Sequence, residues 1–150
     1  VQFIVFHMAV VAAIVMSFVI ADFPGWMNSR GLVLLFQILL WGGFAVGVMR
    51  GIRRVGNKYM RAISSPDDYF SLFLLTVWFA MAALAAPYGA PEKQAAGNTI
   101  LITYYAVQTF FLLYVPFSKI SHYLYYPFTR YYLGKTMGRR GVYPSEGKPA

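Results

Sequence analysis

The side chains best suited to chemistry in this chain are its two histidines, His7 and His122, the only imidazoles among 150 residues. Both lie in strongly apolar sequence of the kind found inside membranes. A polar imidazole in hydrocarbon costs free energy, so an intramembrane histidine is expected to have a functional partner. The chain has no cysteine and only five carboxylates. One haem iron bound by both imidazoles is therefore the chemistry that these residues favour.

Other uses of the two histidines are less well supported. Two imidazoles without further ligands form a poor zinc or copper site. The lack of cysteine excludes disulfides, thiolate-ligated iron–sulfur clusters and covalent haem attachment through a C-x-x-C-H motif. A single histidine near a membrane interface is often only a hydrogen-bonded side chain. Two histidines that lie near helix ends on the same side of a membrane instead favour ligation of one shared haem.

The composition requires a membrane. Hydrophobic residues make up 59% of the chain and charged residues 12%, and the mean hydropathy is +0.53. A soluble domain of this length could not bury so much apolar surface. Four apolar runs are each close to the roughly 20 residues that cross a bilayer core; they cover residues 2–21, 31–49, 69–86 and 99–115. The sequence predicts an all-α integral membrane four-helix bundle over residues 1–132 and a polar cytoplasmic tail over 133–150.

The positive charges indicate an orientation. The net charge is +8, but its placement follows the membrane and does not indicate nucleic-acid binding. An excess of Lys and Arg marks cytoplasmic segments, so both termini and the 50–67 loop are predicted to be cytoplasmic, where these residues can also attract anionic lipid. The basic residues of these segments are Arg50, Arg53, Arg54, Lys58, Arg61, Lys119, Arg130, Lys135, Arg139, Arg140 and Lys148.

Several residues predict local structure. Phe23 and Pro24 should end the first helix, Ser65 should cap the third, and Pro116 should break the fourth. Three glycines of the second helix have the spacing of close helix packing, and Gln37 is expected to form an interhelical hydrogen bond; the glycines are Gly42, Gly43 and Gly47.

This topology brings the histidines to one side of the membrane. His7 lies near the cytoplasmic end of the first helix, and His122 follows the cytoplasmic end of the fourth. His7 is about 22 Å of helix from Asp22, whereas His122 is about 35 Å of continuous helix from Thr99. Tilt or the break at Pro116 must absorb roughly 10 Å if both imidazoles bind one iron.

Two segments resemble a known family. Residues 61–71, RAISSPDDYFS, and 114–122, YVPFSKISH, are similar to the membrane cytochrome b family of the respiratory nitrate reductase gamma subunit, and most similar to the cytochrome b subunits of membrane heterodisulfide reductase and of the dissimilatory sulfite reductase-linked complex. The similarity covers roughly residues 1–132. It implies that His122 and His7 ligate the haem nearer the cytoplasm. It also implies electron transfer between a membrane quinone and a cytoplasmic iron–sulfur subunit.

The chain departs from the family at the outer haem. Ser17 and Tyr104 stand where two-haem members have their second pair of ligands. The resemblance therefore implies a single haem b, with quinone or other membrane subunits supplying the rest of the electron path. Basic residues near the haem level are candidates to neutralise its propionates; they are Lys119, Arg54 and Arg130, together with Arg50 and Arg53.

The expected protein is a non-catalytic, membrane-anchoring electron-transfer subunit of a redox complex in the inner membrane of a prokaryote. The alternative is a haem-free structural subunit of such a complex. A transporter or channel is disfavoured, because the spans lack paired charges and a polar stripe.

Overall fold

The computed structural model describes residues 1–118 and 121–137, with the side chains of residues 122–124 excluded. The regular structure in this part of the chain is entirely helical. The helices are α1 (Gln2–Asp22), α2 (Arg30–Gly56), α3 (Lys58–Ile63), α4 (Pro66–Ala85), α5 (Pro91–Gln94), α6 (Asn98–Tyr114) and α7 (His122–Thr136), and 3₁₀ turns cover Pro24–Asn28, Ala86–Tyr88 and Val115–Phe117.

Four helical segments are long and apolar enough to cross a membrane. They are Gln2–Asp22, Arg30–Gly56, Pro66–Tyr88 and Asn98–Phe117. The four predicted spans are confirmed as helices, and the second continues beyond its apolar run into the basic segment. Large apolar side chains on their outer faces are exposed, among them Phe18 and Ile38. Such a surface suits contact with lipid and not with water.

The chain forms two compact units. The first is Val1–Tyr114 and contains α1 to α6, and the second begins at Val115 and contains α7. In α7 the aromatic side chains from Tyr125 to Tyr132 are exposed, and the guanidinium of Arg130 lies 5.6 Å from the centre of the Tyr126 ring. Exposed tyrosines beside cations are typical of a membrane–water interface. The predicted boundary after residue 132 and the tail beyond residue 137 stay predictions, because the tail lies outside the described residues.

The helix ends follow the local sequence. The Ser65 N–H donates to an Asp68 carboxylate oxygen at 2.8 Å, and Pro66 opens α4. This capping box satisfies backbone donors that the first helical turn leaves unpaired. α1 ends at Asp22, directly before Phe23 and Pro24, and α6 gives way to a 3₁₀ turn that contains Pro116. All three predicted helix ends are confirmed.

The bundle has one end at which α1 begins, α2 ends, α4 begins and α6 ends; we call it the basic end. The Gln2 amide lies 3.1 Å from the Met49 sulfur, joining α1 to α2. Arg54 of α2 lies 4.0 Å from Asp68 of α4. The Tyr114 hydroxyl of α6 donates to Asp67 of α4. The four long helices are therefore successively antiparallel.

The helices pack in chain order. α1 packs along α2, α2 along α4 and α4 along α6, whereas the backbones of α1 and α6 approach much less closely over the described residues. The predicted interhelical bond of Gln37 is confirmed: its amide donates to the Ala83 carbonyl at 3.3 Å. We call the opening between α1 and α6 the seam.

Two of the predicted glycines allow close helix contact. A Cβ on Gly43 would collide with the Ala9 side chain of α1 and lie 3.1 Å from the Phe79 ring of α4. A Cβ on Gly47 would collide with the Thr76 hydroxyl of α4. Helices in lipid gain stability by such close packing, because no hydrophobic effect drives them together there. Gly43 and Gly47 therefore allow α1 and α4 to pack closely against α2.

The substitution Gly43→Ala is expected to lower the unfolding free energy in detergent by about 1–3 kcal/mol, because α1 or α4 must move to admit the methyl group. The control is Gly51→Ala on the same helix, where a Cβ would meet nothing within 4 Å. It should be neutral or stabilising by up to about 1 kcal/mol, since Ala is the better helix former. Unfolding monitored by circular dichroism checks both, and equal stability of the two variants would contradict the packing.

Candidate functional site

His7 contacts the backbone of its own helix. Its Nδ1 lies 2.8 Å from the backbone carbonyl oxygen of Phe3, one turn earlier in α1. A carbonyl only accepts hydrogen bonds, so Nδ1 must carry the proton in this contact. Nε2 is then the ring nitrogen that has no contact with this carbonyl and that can bind a metal. A histidine that donates from Nδ1 to a backbone carbonyl and offers Nε2 to a metal is the usual form of a metal-ligating histidine.

Aromatic rings hold the imidazole of His7. The Phe3 ring centre lies 4.0 Å from the imidazole centre, and the Phe6 ring centre lies 6.3 Å away, edge to face. Phe6 is buried and packs edge to face on Phe79 of α4 at 5.2 Å. The side chain of His7 itself is exposed in the described structure. The imidazole is thus flanked by two rings of its own helix, of which Phe6 packs into the bundle, and it remains accessible.

The second predicted ligand belongs to the other unit of the chain. His122 is the first residue of α7, and its side chain lies outside the described residues. Shared ligation of one iron by His7 and His122 therefore stays a prediction. Lys119, one of the predicted propionate partners, also lies outside the described residues.

Two of the other predicted propionate partners, Arg54 and Arg130, already have contacts. The Arg54 guanidinium lies between Asp68, at 4.0 Å, and the Tyr69 ring, at 5.8 Å. The Arg130 guanidinium lies over Tyr126 of its own helix. Arg50 differs, because its guanidinium lies 4.8 Å from the centre of the Phe6 ring, next to His7 in sequence. Nothing in the sequence ranks Arg50 above the other cations, because the contact with Phe6 depends on which faces of α1 and α2 meet.

Ser17 and Tyr104, the residues at the outer-haem positions of the family, both lie at the seam. Tyr104 is fully buried, and its hydroxyl donates to the Ala13 carbonyl at 3.1 Å. The Tyr105 hydroxyl donates to the Ser17 carbonyl at 3.2 Å. The Ser17 hydroxyl donates to the Ile14 carbonyl of its own helix. Two tyrosines of α6 therefore connect to the backbone of α1, and the Tyr104 ring fills space between the helices.

A groove runs along α6 from Asn98 to Leu113 and passes Tyr105. Its volume is about 880 Å³. Its lining is mainly apolar and includes Ile20, Leu101, Tyr105, Phe110 and Leu113, with the amides of Gln94 and Asn98. A groove of this kind on a membrane protein can hold a lipid chain or an apolar tail.

Comparison of the chain with protein-family models, with curated proteins and with solved structures finds no significant match. The resemblance carried by residues 61–71 and 114–122 therefore stays a prediction. The observations that bear on function are the contacts of His7 and the tyrosine hydrogen bonds at the seam.

Tyr104→Phe is expected to lower the unfolding free energy by about 1 kcal/mol, because it removes one buried hydrogen bond to the Ala13 carbonyl. Tyr104→Ala should cost about 3–5 kcal/mol, because it also leaves a cavity. Tyr59, which is 85% exposed, provides the control, and Tyr59→Phe should change stability by less than about 0.5 kcal/mol. Detergent unfolding measures all three. If Tyr104→Ala unfolds like Tyr59→Phe, the tyrosine does not hold the seam.

Proposed function

We propose that this chain is a membrane-embedded electron-transfer subunit that binds a single haem b through His7 and His122. The observation that carries the proposal is the contact of His7 Nδ1 with the Phe3 carbonyl oxygen at 2.8 Å, which leaves Nε2 as the ring nitrogen that can bind a metal. The Phe3 carbonyl fixes the tautomer and raises the basicity of the ring. Phe3 and Phe6 limit its rotation. When bound, the haem supplies one-electron transfer, and the protein supplies its position and potential.

The residues at the seam are unsuited to a second, outer haem, which supports the proposal of a single haem. An outer haem would need ligands at positions 17 and 104, where Ser17 has no metal-binding nitrogen and its hydroxyl bonds within α1. The Tyr104 ring is fully buried between the helices. A side chain in this position excludes a planar macrocycle from the same space. We therefore propose that the single haem binds at the basic end, where His7 lies.

The proposed electron-transfer partners follow from the basic residues at one end of the bundle and from the apolar groove beside Tyr105. The basic residues of the 50–61 segment favour a cytoplasmic location of the basic end, in the inner membrane of a prokaryote. A haem near this end is close to a cytoplasmic iron–sulfur subunit, which is the proposed partner on that side. On the other side we propose the quinone pool or another membrane subunit. The apolar groove beside Tyr105 is suited to a quinone tail.

His7→Ala and His122→Ala are each expected to abolish the haem b absorption of the purified protein, because a low-spin haem needs both axial ligands. The control is Met8→Ala, the exposed neighbour of His7 on α1, which should retain full haem content. A reduced-minus-oxidised spectrum and pyridine haemochrome quantification give the result. Full haem content in both histidine variants would contradict the proposal. Wild-type protein without haem would favour the haem-free structural subunit.

A rescue experiment separates ligation from folding. His7→Gly removes the ligand and leaves space at its position, so added imidazole can bind the iron there. We expect imidazole to restore the low-spin spectrum of His7→Gly and to leave Met8→Ala unchanged. If His7→Gly keeps a wild-type spectrum without imidazole, His7 is not a ligand.

A further inference from the structure

Arg50 lies at the boundary of the hydrocarbon. Residues 31–49 of α2 carry no charge, and the helical rise from Arg30 to Arg50 is about 30 Å, the thickness of a bilayer core. A helical side chain points back toward the N-terminus of its helix. The Arg50 side chain therefore extends from the basic end toward the interior, and it is half-buried with its guanidinium 4.8 Å from the centre of the Phe6 ring.

The antiparallel arrangement brings the His7 side chain toward the same level. α1 begins at the basic end, so the side chain of His7 points toward that end while the side chain of Arg50 points away from it. The Phe6 ring contacts both groups, at 6.3 Å from the imidazole centre and 4.8 Å from the guanidinium carbon. Phe6 is itself fixed by Phe79. The cation and the candidate iron ligand are thus held on the same buried ring.

Arg50 lacks a counter-ion within the described part of the chain. The ion pair found there joins Arg54 to Asp68 and does not involve Arg50. A ring face compensates only partly for removing a guanidinium from water. The guanidinium has five N–H donors in a planar fork that matches a carboxylate. An anion bound beside His7 would complete this site.

We propose that Arg50 binds a propionate carboxylate of the haem and thereby raises its reduction potential; this inference rests on the proposed function. Reduction lowers the charge on the iron by one unit. A nearby positive charge therefore stabilises the ferrous state relative to the ferric state. Arg50 is a positioning residue in this account, because it acts on the porphyrin edge and not on the iron.

The test is a redox titration of the haem in the purified full chain. R50Q and R50M remove the charge, and R50M is included because an apolar side chain is well tolerated in hydrocarbon. Both should retain haem, while the ferrous-to-ferric ratio at a fixed potential falls about tenfold, which corresponds to a midpoint shift of about 59 mV for one electron. R50K should shift the midpoint less. K58Q, which removes an exposed positive charge at the start of α3, should match the wild type.

The outcomes separate this inference from the proposed function. Wild-type protein without haem overturns both. Haem-loaded R50Q or R50M with the midpoint potential of K58Q overturns only the role of Arg50. If native mass spectrometry then shows that these variants lose a bound anionic lipid that K58Q retains, the guanidinium binds a lipid phosphate and not a propionate.

Discussion

The functional account depends on the hydrogen bond between His7 Nδ1 and the Phe3 carbonyl. The bond lies within one turn of α1, so the helix itself sets its geometry. It decides which nitrogen of the imidazole carries the proton, and therefore which nitrogen can bind a metal. Without it, an exposed histidine on a lipid-facing helix would be a polar side chain of undefined tautomer. With it, Nδ1 is occupied by the carbonyl and Nε2 is the nitrogen left for the proposed iron.

A bilayer around these spans imposes the second constraint: a charged side chain at the edge of the hydrocarbon needs a partner that compensates its charge. Arg54 meets this constraint by pairing with Asp68, whose carboxylate also caps α4. Arg50 meets it by lying on the Phe6 ring. The packing of α1 against α2 thus half-buries Arg50 at the basic end and brings its guanidinium onto Phe6, the residue before His7. Away from that end, two tyrosines hold α6 to α1 through backbone carbonyls.

The sequence predicted the parts of the fold that depend on local rules: the four apolar spans, the Ser65 cap, the break at Pro116 and the close approach at Gly43. It also predicted that Gln37 bonds to another helix. It could not predict that Tyr104 fills the seam, because that depends on which faces of α1 and α6 meet. The contrast between Arg50 and Arg54 has the same origin. Their side chains lie one turn apart on α2 and contact different helices.

The most direct test of the central claim is low-temperature electron paramagnetic resonance of the oxidised, purified chain. Two imidazoles on one ferric iron give a low-spin signal, and loss of either ligand gives a high-spin iron or none. The account predicts a low-spin signal from one haem per chain in the wild type and its disappearance in His7→Ala and in His122→Ala. A wild-type chain without a haem signal, or a low-spin signal unchanged in both variants, would contradict it.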